Sequence, residues 1–411
     1  MKRKHFTFLI LVFLVCSLFA QQRNLDFYIG EGLKNSPLLK DYSLQIASNG
    51  IDSLKVKAAF LPQVNLNGQL YYAPNFKGYG YDAAITNGGN YATQVSVFQP
   101  LIMKKSKQTQ FENLNIQNQY LGNASKISEL DLKKAISAQY ITAYSDYNQL
   151  QSVQEVLKLL NNEEEILKPL VERGIYSQTD FLNLMLSQQN QLLAIRQSQL
   201  QYNNDLFSLN ILCGIDDTSF TALTKPEVLL TQTFDASNSI LLRQFRIDSM
   251  KFTNRKKLVD LNYQPKLSAF ADAGFLTSTP QTIYKNFGAG IGLNFSMPLY
   301  DGKQRKFEYQ KIQLASQISH NYETFYRHQI NQQLLQLSEQ LKATNELIAE
   351  TNKQIQLSQE LIGIYKAQLD KGLVKITDLV LAVNNYINFK TSMNQTAMNR
   401  MQIINQLNYF K

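Results

Sequence analysis

The sequence predicts a homo-oligomer in which each chain contributes four strands to one shared β-barrel and long helices to one shared helical tube. Three observations predict this fold class: the sequence repeats itself once, each repeat holds two amphipathic strands, and each holds a helical segment far longer than those of ordinary globular domains. The repeat has an offset of 198 positions (298 minus 100), at which three motifs recur: Pro100-Leu101 as Pro298-Leu299, Gly174 as Gly372, and Thr179-Asp180 as Thr377-Asp378.

Upstream of the strands the offset is 203 positions (265 minus 62), because Pro62 meets Pro265. Only the segment between the two prolines of each repeat therefore changes length, as expected for a surface loop. After a signal peptide (1–20), the first repeat (21–213) is predicted to contain a strand hairpin (62–100), a long helix (104–172), a tip (173–180) and a returning helix. An excursion midway along the helices (214–236) follows. The second repeat (237–411) is predicted to contain a hairpin (265–298), a long helix (303–370), a tip (371–378) and a returning helix.

The N-terminus has the layout of a secretory signal peptide. Three cations, Lys2 to Lys4, precede an apolar run that ends at Ala20. We therefore expect the mature chain to leave the cytoplasm. Lipoprotein processing at Cys16 is the alternative, but Val15 is larger than the small residue that such a site normally has. The mature chain keeps one cysteine, Cys213, which excludes an internal disulfide.

The strands are predicted from alternating apolar residues: Val64, Leu66, Leu70 and Tyr72, then Val95 and Val97, then Leu267, Ala269, Ala271 and Phe275, and finally Ile291, Leu293, Phe295 and Met297. Tyrosine-rich loops adjoin them, which is typical of an interfacial girdle or of an aromatic-rich loop on a soluble sheet. After the signal peptide no apolar stretch reaches the ~18 residues of a membrane-spanning helix. Four strands cannot close a membrane barrel, since the smallest single-chain barrels use about eight, so several copies must share one.

The helical segment 104–172 is nearly uninterrupted and would be roughly 100 Å long at 1.5 Å per residue. Segments 176–213 and 237–262, stacked end to end, match its length, and Gly214 is the expected cap of the helix that ends at Cys213. A heptad stripe obeys the repeat and suits side-by-side packing: Ile136, Ala143, Leu150 and Leu157 recur as Leu334, Leu341, Ile348 and Ile355.

Two segments carry a resemblance to a known family. Pro298-Leu299-Tyr300-Asp301-Gly302 resembles the strand-to-helix junction of the TolC family of outer-membrane efflux proteins, and Pro100 occupies the corresponding junction of the first repeat. Gly372-Leu373-Val374-Lys375-Ile376-Thr377-Asp378-Leu379 resembles that family's helix-hairpin tip, which the segment from Gly174 to Phe181 matches more loosely. The resemblance covers essentially the whole mature chain.

The resemblance implies a homotrimer with a twelve-stranded β-barrel in the cell outer membrane and a helical tunnel in the periplasm. It implies the function of a passive exit duct in a tripartite efflux or type I secretion system. Its tips would dock to a periplasmic adaptor protein, and an inner-membrane efflux pump or ABC transporter would supply the energy. No cofactor is implied.

The tip residues have structural and functional interpretations. Gly174 and Gly372 suit a sharp chain reversal, because glycine reaches positive φ without steric cost. The Thr-Asp pairs at 179–180 and 377–378 start the returning helices, where they either cap free amides or, in a trimer, line a narrow mouth with carboxylates. The family's second acid corresponds to Leu381 here and its gate arginine to Val374, so Leu381 is an alternative constriction.

A cluster of cations follows each strand hairpin. Lys104, Lys105 and Lys107 follow the first, and Lys303, Arg305 and Lys306 follow the second. We call these six residues the basic collar. In an oligomer they would lie near the inner leaflet and meet lipid phosphates, or they are simply solvated helix starts.

Several classes of protein are disfavoured. The mature net charge is +6 (41 minus 3 minus 32), but the cations are interspersed with acids, which disfavours nucleic acid as a partner. His320 and His328 have no metal-ligand spacing, and the Gly288–Gly292 segment leads into a strand rather than a phosphate-binding helix. The Glu163–Glu165 run reads as solvated. We expect no catalytic site, metal or cofactor. The competing hypothesis is a periplasmic coiled-coil adaptor or scaffold, which would lack the two strand hairpins.

Overall fold

The computed structural model describes residues 23–410, apart from positions 75, 83, 87, 103, 231–238 and 370. The signal peptide predicted at 1–20 lies outside the described residues. Within them the elements are, in chain order, α1 (Leu25–Asn35), α2 (Pro37–Ala58), β1 (Gln63–Tyr72), β2 (Gly89–Pro100), α3 (Lys104–Glu172), α4 (Gln178–Cys213), α5 (Ile240–Leu261), β3 (Lys266–Thr277), β4 (Phe287–Ser296), α6 (Gln304–Leu369) and α7 (Ile376–Tyr409). A short 3-10 helix (Pro280–Lys285) lies between β3 and β4.

The element bounds follow the internal repeat. Helix α2 maps onto α5 at an offset of 203 positions at both ends, and β1 begins 203 positions before β3. Strand β2 begins 198 positions before β4, and α4 begins 198 positions before α7. The change of offset therefore falls in the loop within each hairpin. The repeat is a structural one.

The chain divides into two compact units, of which one contains residues 41–125 and 240–326. Its four strands form one antiparallel sheet in the order β1-β2-β3-β4. Directly opposite residues share a face of such a sheet. Val64 lies opposite Val97, Val97 opposite Ala271, and Ala271 opposite Ile291, so one apolar row crosses all four strands. The alternation predicted from the sequence thus places its apolar residues on one face.

The other face of the sheet is mostly polar. Asn67 donates a side-chain hydrogen bond of 2.8 Å to Ser96, and Asp272 and Asn294 lie on the same side. Glycines in β4 make room for an aromatic ring there, because a Cβ atom at Gly292 would lie 2.5 Å from the ring of Phe270. The backbones of β2 and β3 approach closely at Gly274 of β3, where a Cβ atom would lie 2.2 Å from the Thr93 carbonyl oxygen.

The second unit is helical and contains residues up to 40, 126–239 and 327–411, within the described ranges. One of its cores joins Tyr28, Tyr140 and Tyr202 to Leu206 and Leu223. Tyr140 donates its hydroxyl to the Thr224 carbonyl oxygen at 2.8 Å, which fastens the described part of the 214–236 excursion to this core.

Helix α4 ends as the sequence predicted. Gly214 has a φ of +65° at its C-cap, a conformation that glycine adopts without a Cβ penalty. Cys213 beside it is buried, and burial raises the pKa of its thiol to about 12. The thiol is therefore a packed apolar group rather than an activated nucleophile.

Amide side chains join the helices of this unit by donating hydrogen bonds to backbone carbonyl oxygens of the facing helix. Gln191 donates to the Val153 carbonyl oxygen at 2.8 Å, Asn394 to Ser145 at 2.8 Å, Gln402 to Ala138 at 2.8 Å and Asn405 to Lys134 at 2.9 Å. These bonds satisfy polar groups inside helix contacts, where an unpaired amide would be costly. Among the described helices, none is long and apolar enough to cross a membrane.

Candidate functional sites at the helix tips and strand-to-helix junctions

The two helix tips reverse the chain with the same turn. Gly174 and Gly372 have φ values of +74° and +69°, which suit glycine. In the first tip the Ile175 amide donates to the Leu170 carbonyl oxygen at 3.0 Å, and in the second the Leu373 amide donates to Gln368 at 3.1 Å. These six-residue closures are Schellman turns, which satisfy the last carbonyls of a helix.

The helices that return from the tips begin differently. Helix α4 has Ser177 as its N-cap, and Ser177 and Asp180 bond each other's backbone amides at 3.1 Å in a capping box. Helix α7 has Lys375 as its N-cap, without a side-chain cap bond. Of the residues expected to cap these helices, only Asp180 makes the cap bonds, because Ser177 rather than Thr179 occupies the cap position. Thr179, Thr377 and Asp378 are exposed.

The two tips contact each other. Tyr176 of the first tip donates its hydroxyl to the Val374 carbonyl oxygen of the second at 2.8 Å and lies 3.3 Å from that of Leu369. A Cβ atom at Gly372 would lie 2.8 Å from Ile175. Val374 is the repeat counterpart of Tyr176 (176 plus 198), so the contact links equivalent positions. The tip motif alone could not single out Tyr176.

An ion pair lies behind the tips. Lys366 of α6 contacts Glu163 of α3 at 2.7 Å, and the Glu163 side chain is only 1% exposed. The interpretation of Glu163 as solvated was therefore wrong, since it faces α6 while its neighbour Glu165 is exposed. The other carboxylate oxygen of Glu163 has no partner among the described groups. A run of three acids gave no signal that one of them faces inward.

The tips rest on an apolar core. Leu167, Leu184, Leu369, Ile376 and Leu379 are all buried there, and they come from both repeats. Val374 joins this core, whereas Leu381 is 60% exposed on the same side of α7 as Asp378, three residues earlier. Of the predicted tip side chains, Thr179, Thr377, Asp378 and Leu381 are thus exposed.

The junction between β4 and α6 follows the predicted motif. Pro298 follows β4, and Pro100 is the last residue of β2. Asp301 accepts a 2.7 Å hydrogen bond from the Arg305 backbone amide, and Gly302 has a φ of +65°. Hydrogen bonds from the Tyr263 hydroxyl and the Arg305 amide lower the pKa of Asp301. Asp301 is therefore a charged cap of α6.

The basic collar surrounds the starts of α3 and α6. Its five lysines are exposed. Arg305 differs, because it forms an ion pair with Asp260 and lies over the rings of Tyr263 and Tyr309. Although partial burial would raise it, the pKa of Asp260 is lowered by bonds from Tyr309 and Arg305. The charge of Arg305 is thus already paired with groups of its own chain.

A carboxyl pair lies between α3 and α4. Burial, a hydrogen bond with Asp205 and the charge of Asp205 raise the pKa of Asp146 to about 7. Asp205 accepts hydrogen bonds from the side chains of Gln139 at 3.0 Å and Gln201 at 2.6 Å. The described residues contain no group of three or more His, Cys, Asp or Glu side chains that could hold a metal ion. His320 and His328 are exposed on α6.

No family model matches the chain, and no curated protein matches its sequence. Solved structures match its fold over 94% of its length. The outer membrane protein VceC of Vibrio cholerae superposes with a TM-score of 0.72 at 14% identity, over 95% of that chain. The CmeC outer membrane channel of Campylobacter jejuni gives 0.69 at 15% over 85% of that chain. The MtrE outer membrane channel of Neisseria gonorrhoeae gives 0.72 at 12% over 88% of that chain. The predicted architecture of each chain, four strands joined to long helices, is thereby confirmed: this chain has the fold of these outer-membrane proteins.

Proposed function

We infer that this protein is an outer-membrane exit duct, a passive channel component of a tripartite efflux or type I secretion system. The observation that carries the inference is a four-stranded sheet with one apolar face and two unpaired edges, joined to very long helices. The fold shared with the solved outer-membrane channels supports it.

The sheet suits a membrane wall. Leu70 is 88% exposed and Ile291 is 90% exposed, although both are large and apolar. A soluble protein rarely leaves such a continuous apolar surface open. In a transmembrane β-barrel the apolar face of the strands contacts lipid and the polar face contacts water, and this sheet has one face of each kind.

The sheet edges call for further copies. Strands β1 and β4 each have ten residues, and each pairs on one side only within the described chain. Because adjacent strands alternate in direction, β4 of one copy beside β1 of the next is again antiparallel. Repetition of this contact closes a ring without edges. Three copies give the twelve strands that the family resemblance implies.

The helices offer a matching surface. In the sheet-containing unit α6 exposes Phe307, Leu314, Ile318, Tyr322 and Phe325, each more than half exposed. Their spacing of three, four and seven residues forms one stripe along the helix. Contact between copies would bury this stripe and continue the ring of strands as a ring of helices.

The tips would regulate passage. The Tyr176–Val374 bond and the Glu163–Lys366 ion pair hold the two hairpins together. A periplasmic adaptor protein and an inner-membrane pump or ABC transporter, docked at the exposed tip residues, would have to break these links to splay the hairpins. The duct itself needs no energy source, which fits a passive channel. Asp378 and Leu381 would line the mouth.

A scaffold or adaptor in the periplasm is the second candidate, because long helices also suit it. The two classes differ in what the apolar sheet face requires. A matched pair of variants tests this: Leu293→Arg on the apolar face and Asn294→Arg on the polar face. A cation facing lipid near the midplane costs about 2–4 kcal/mol, whereas one facing the lumen costs little.

The measurement is the amount and native mass of protein extracted by detergent from isolated outer membranes. We expect a three-copy particle for the wild type and for Asn294→Arg, and a strong loss for Leu293→Arg. A monomer found in the soluble periplasmic fraction, with equal yields of both variants, would contradict the duct and favour the scaffold.

A further inference from the structure

We propose that the basic collar binds the anionic phosphates of lipid headgroups in the periplasmic leaflet and so sets the depth of the barrel in the membrane. The proposal rests on the proposed function, since it takes the apolar sheet face as the lipid contact. Its lysines are Lys104, Lys105, Lys107, Lys303 and Lys306, and Arg305 is excluded because it is already paired.

The lysines stand where helix electrostatics disfavour them. Lys104, Lys105 and Lys107 lie in the first turn of α3, Lys303 immediately precedes α6, and Lys306 lies in its first turn. The start of a helix carries partial positive charge, which attracts acids and repels cations. Neither α3 nor α6 has an acidic residue in its first turn. Two repeats that both place cations at this unfavourable position indicate a requirement outside the chain.

The carboxylates nearby are engaged elsewhere. Asp260 pairs with Arg305, and Glu112 pairs with Lys257 at 2.7 Å. Glu308 lies 3.9 Å from both Arg255 and Lys311, and Asp301 caps α6. The charge of Lys105 helps to lower the pKa of Asp260, which already pairs with Arg305. The remaining collar charge is therefore available to anions outside the chain.

The collar adjoins exposed apolar side chains at the same end of the sheet. Leu101 and Ile102 lie just before the lysines of the first repeat in the sequence, and Leu299 and Tyr300 lie just before those of the second. Leu299 is 92% exposed and Tyr300 is 84% exposed. The order along each connection is thus apolar sheet face, apolar anchor and lysine. The same order, from hydrocarbon to phosphate, occurs across a lipid leaflet, where lysines reach headgroups by snorkelling.

The charge complementarity selects a lipid surface rather than a second protein. Lysine carries a compact charge on a flexible side chain, which suits mobile phosphates. In the oligomer each copy would contribute its five lysines to one ring. Anionic lipid should therefore bind the oligomer at the collar more tightly than zwitterionic lipid. The preference should weaken with salt, because exposed charges are screened.

The test uses the full-length oligomer purified in detergent. One variant replaces the five collar lysines with Gln, and a matched control replaces five exposed helix lysines with Gln: Lys126, Lys158, Lys168, Lys342 and Lys353. Native mass spectrometry counts the phosphatidylglycerol and phosphatidylcholine molecules retained by each. We expect the wild type and the control to retain phosphatidylglycerol preferentially. In the collar variant the ratio of retained phosphatidylglycerol to phosphatidylcholine should be at least about fivefold lower.

Equal retention by the collar variant and the control would overturn the proposal, as would full displacement of phosphatidylglycerol by inorganic phosphate at low millimolar concentration, which would point to a free anion as the ligand. The native mass in the same spectra separates the two levels of inference. A wild type without an oligomer contradicts the proposed duct, whereas an intact oligomer without lipid preference contradicts the collar alone.

Discussion

The long helices of the two repeats share a pattern but differ in what covers them. In α3 the stripe residues Ile136 and Leu150 are 0% and 4% exposed, whereas their counterparts Leu334 and Ile348 in α6 are only half-buried. Tyr120 is the only large apolar side chain left exposed on α3 among the described residues, while α6 exposes such residues along its length. Three of the four stripe residues of α3 are buried, whereas in α6 only Ile355 is, so α6 leaves more of the pattern uncovered within the chain.

The largest expected difference comes from truncation at the equivalent stripe positions. Ile136→Ala should lower the free energy of unfolding by about 2–5 kcal/mol, because it opens a cavity in a closed core. Leu334→Ala should cost less than about 1 kcal/mol in an isolated chain and more in the oligomer. Thermal unfolding in detergent, with the chain held as monomer or oligomer, measures both. Equal losses in the monomer would remove the distinction between the two helices.

The ion pair that joins the two long helices should respond unequally to loss of either partner. Lys366→Met leaves Glu163, only 1% exposed, without its cation and should cost about 3 kcal/mol. Glu163→Gln leaves Lys366, which is 35% exposed and can reach water, and should cost about 1 kcal/mol. The midpoint of denaturant unfolding reports both. A larger loss for Glu163→Gln would contradict the burial difference.

The two tip glycines sharpen the comparison at a single turn. Gly174→Ala should cost about 1 kcal/mol, the penalty for a Cβ atom at positive φ, since nothing lies within 4 Å of it. Gly372→Ala should cost about 2 kcal/mol, because its Cβ atom would also press on Ile175 of the other tip. Hydrogen exchange at the Leu373 amide should rise more for Gly372→Ala. Tips that respond alike would argue against their contact.

The smallest effect concerns a carboxyl pair that only the first repeat carries, since Thr344 and Ile403 occupy the equivalent positions. The pKa of Asp146 is about 7 in the fold, above its value of about 4 in an unfolded chain. The folded protein therefore binds the proton more tightly, and stability falls as pH rises between these values. At about pH 8 Asp146→Asn should stabilise the protein, because it removes a carboxylate that the fold disfavours. The gain should be only about 1 kcal/mol, since water screens this partly buried pair. At about pH 4 the substitution should have no effect. Unfolding temperatures at both pH values test this.

The sequence predicted whatever depends on local pattern. The strand alternation, the tip glycines, the Gly214 cap and the offset of the repeat all follow from backbone geometry and side-chain periodicity, and the structure has them. The inward orientation of Glu163, the bond from Tyr176 and the different burial of α3 and α6 depend on which helices meet. A heptad stripe indicates that one face of a helix is apolar, but it does not indicate which surface packs against that face.

The amide side chains that donate to backbone carbonyls between helices have a consequence for divergence. A carbonyl oxygen is present whatever residue stands at that position, so Gln191, Asn394 and Gln402 keep their acceptors when the facing helix mutates. Such contacts tolerate drift on one side of an interface, unlike interlocked apolar side chains, where both sides must change together. This tolerance suits a chain that keeps its architecture across structures sharing only 12–15% of their residues with it.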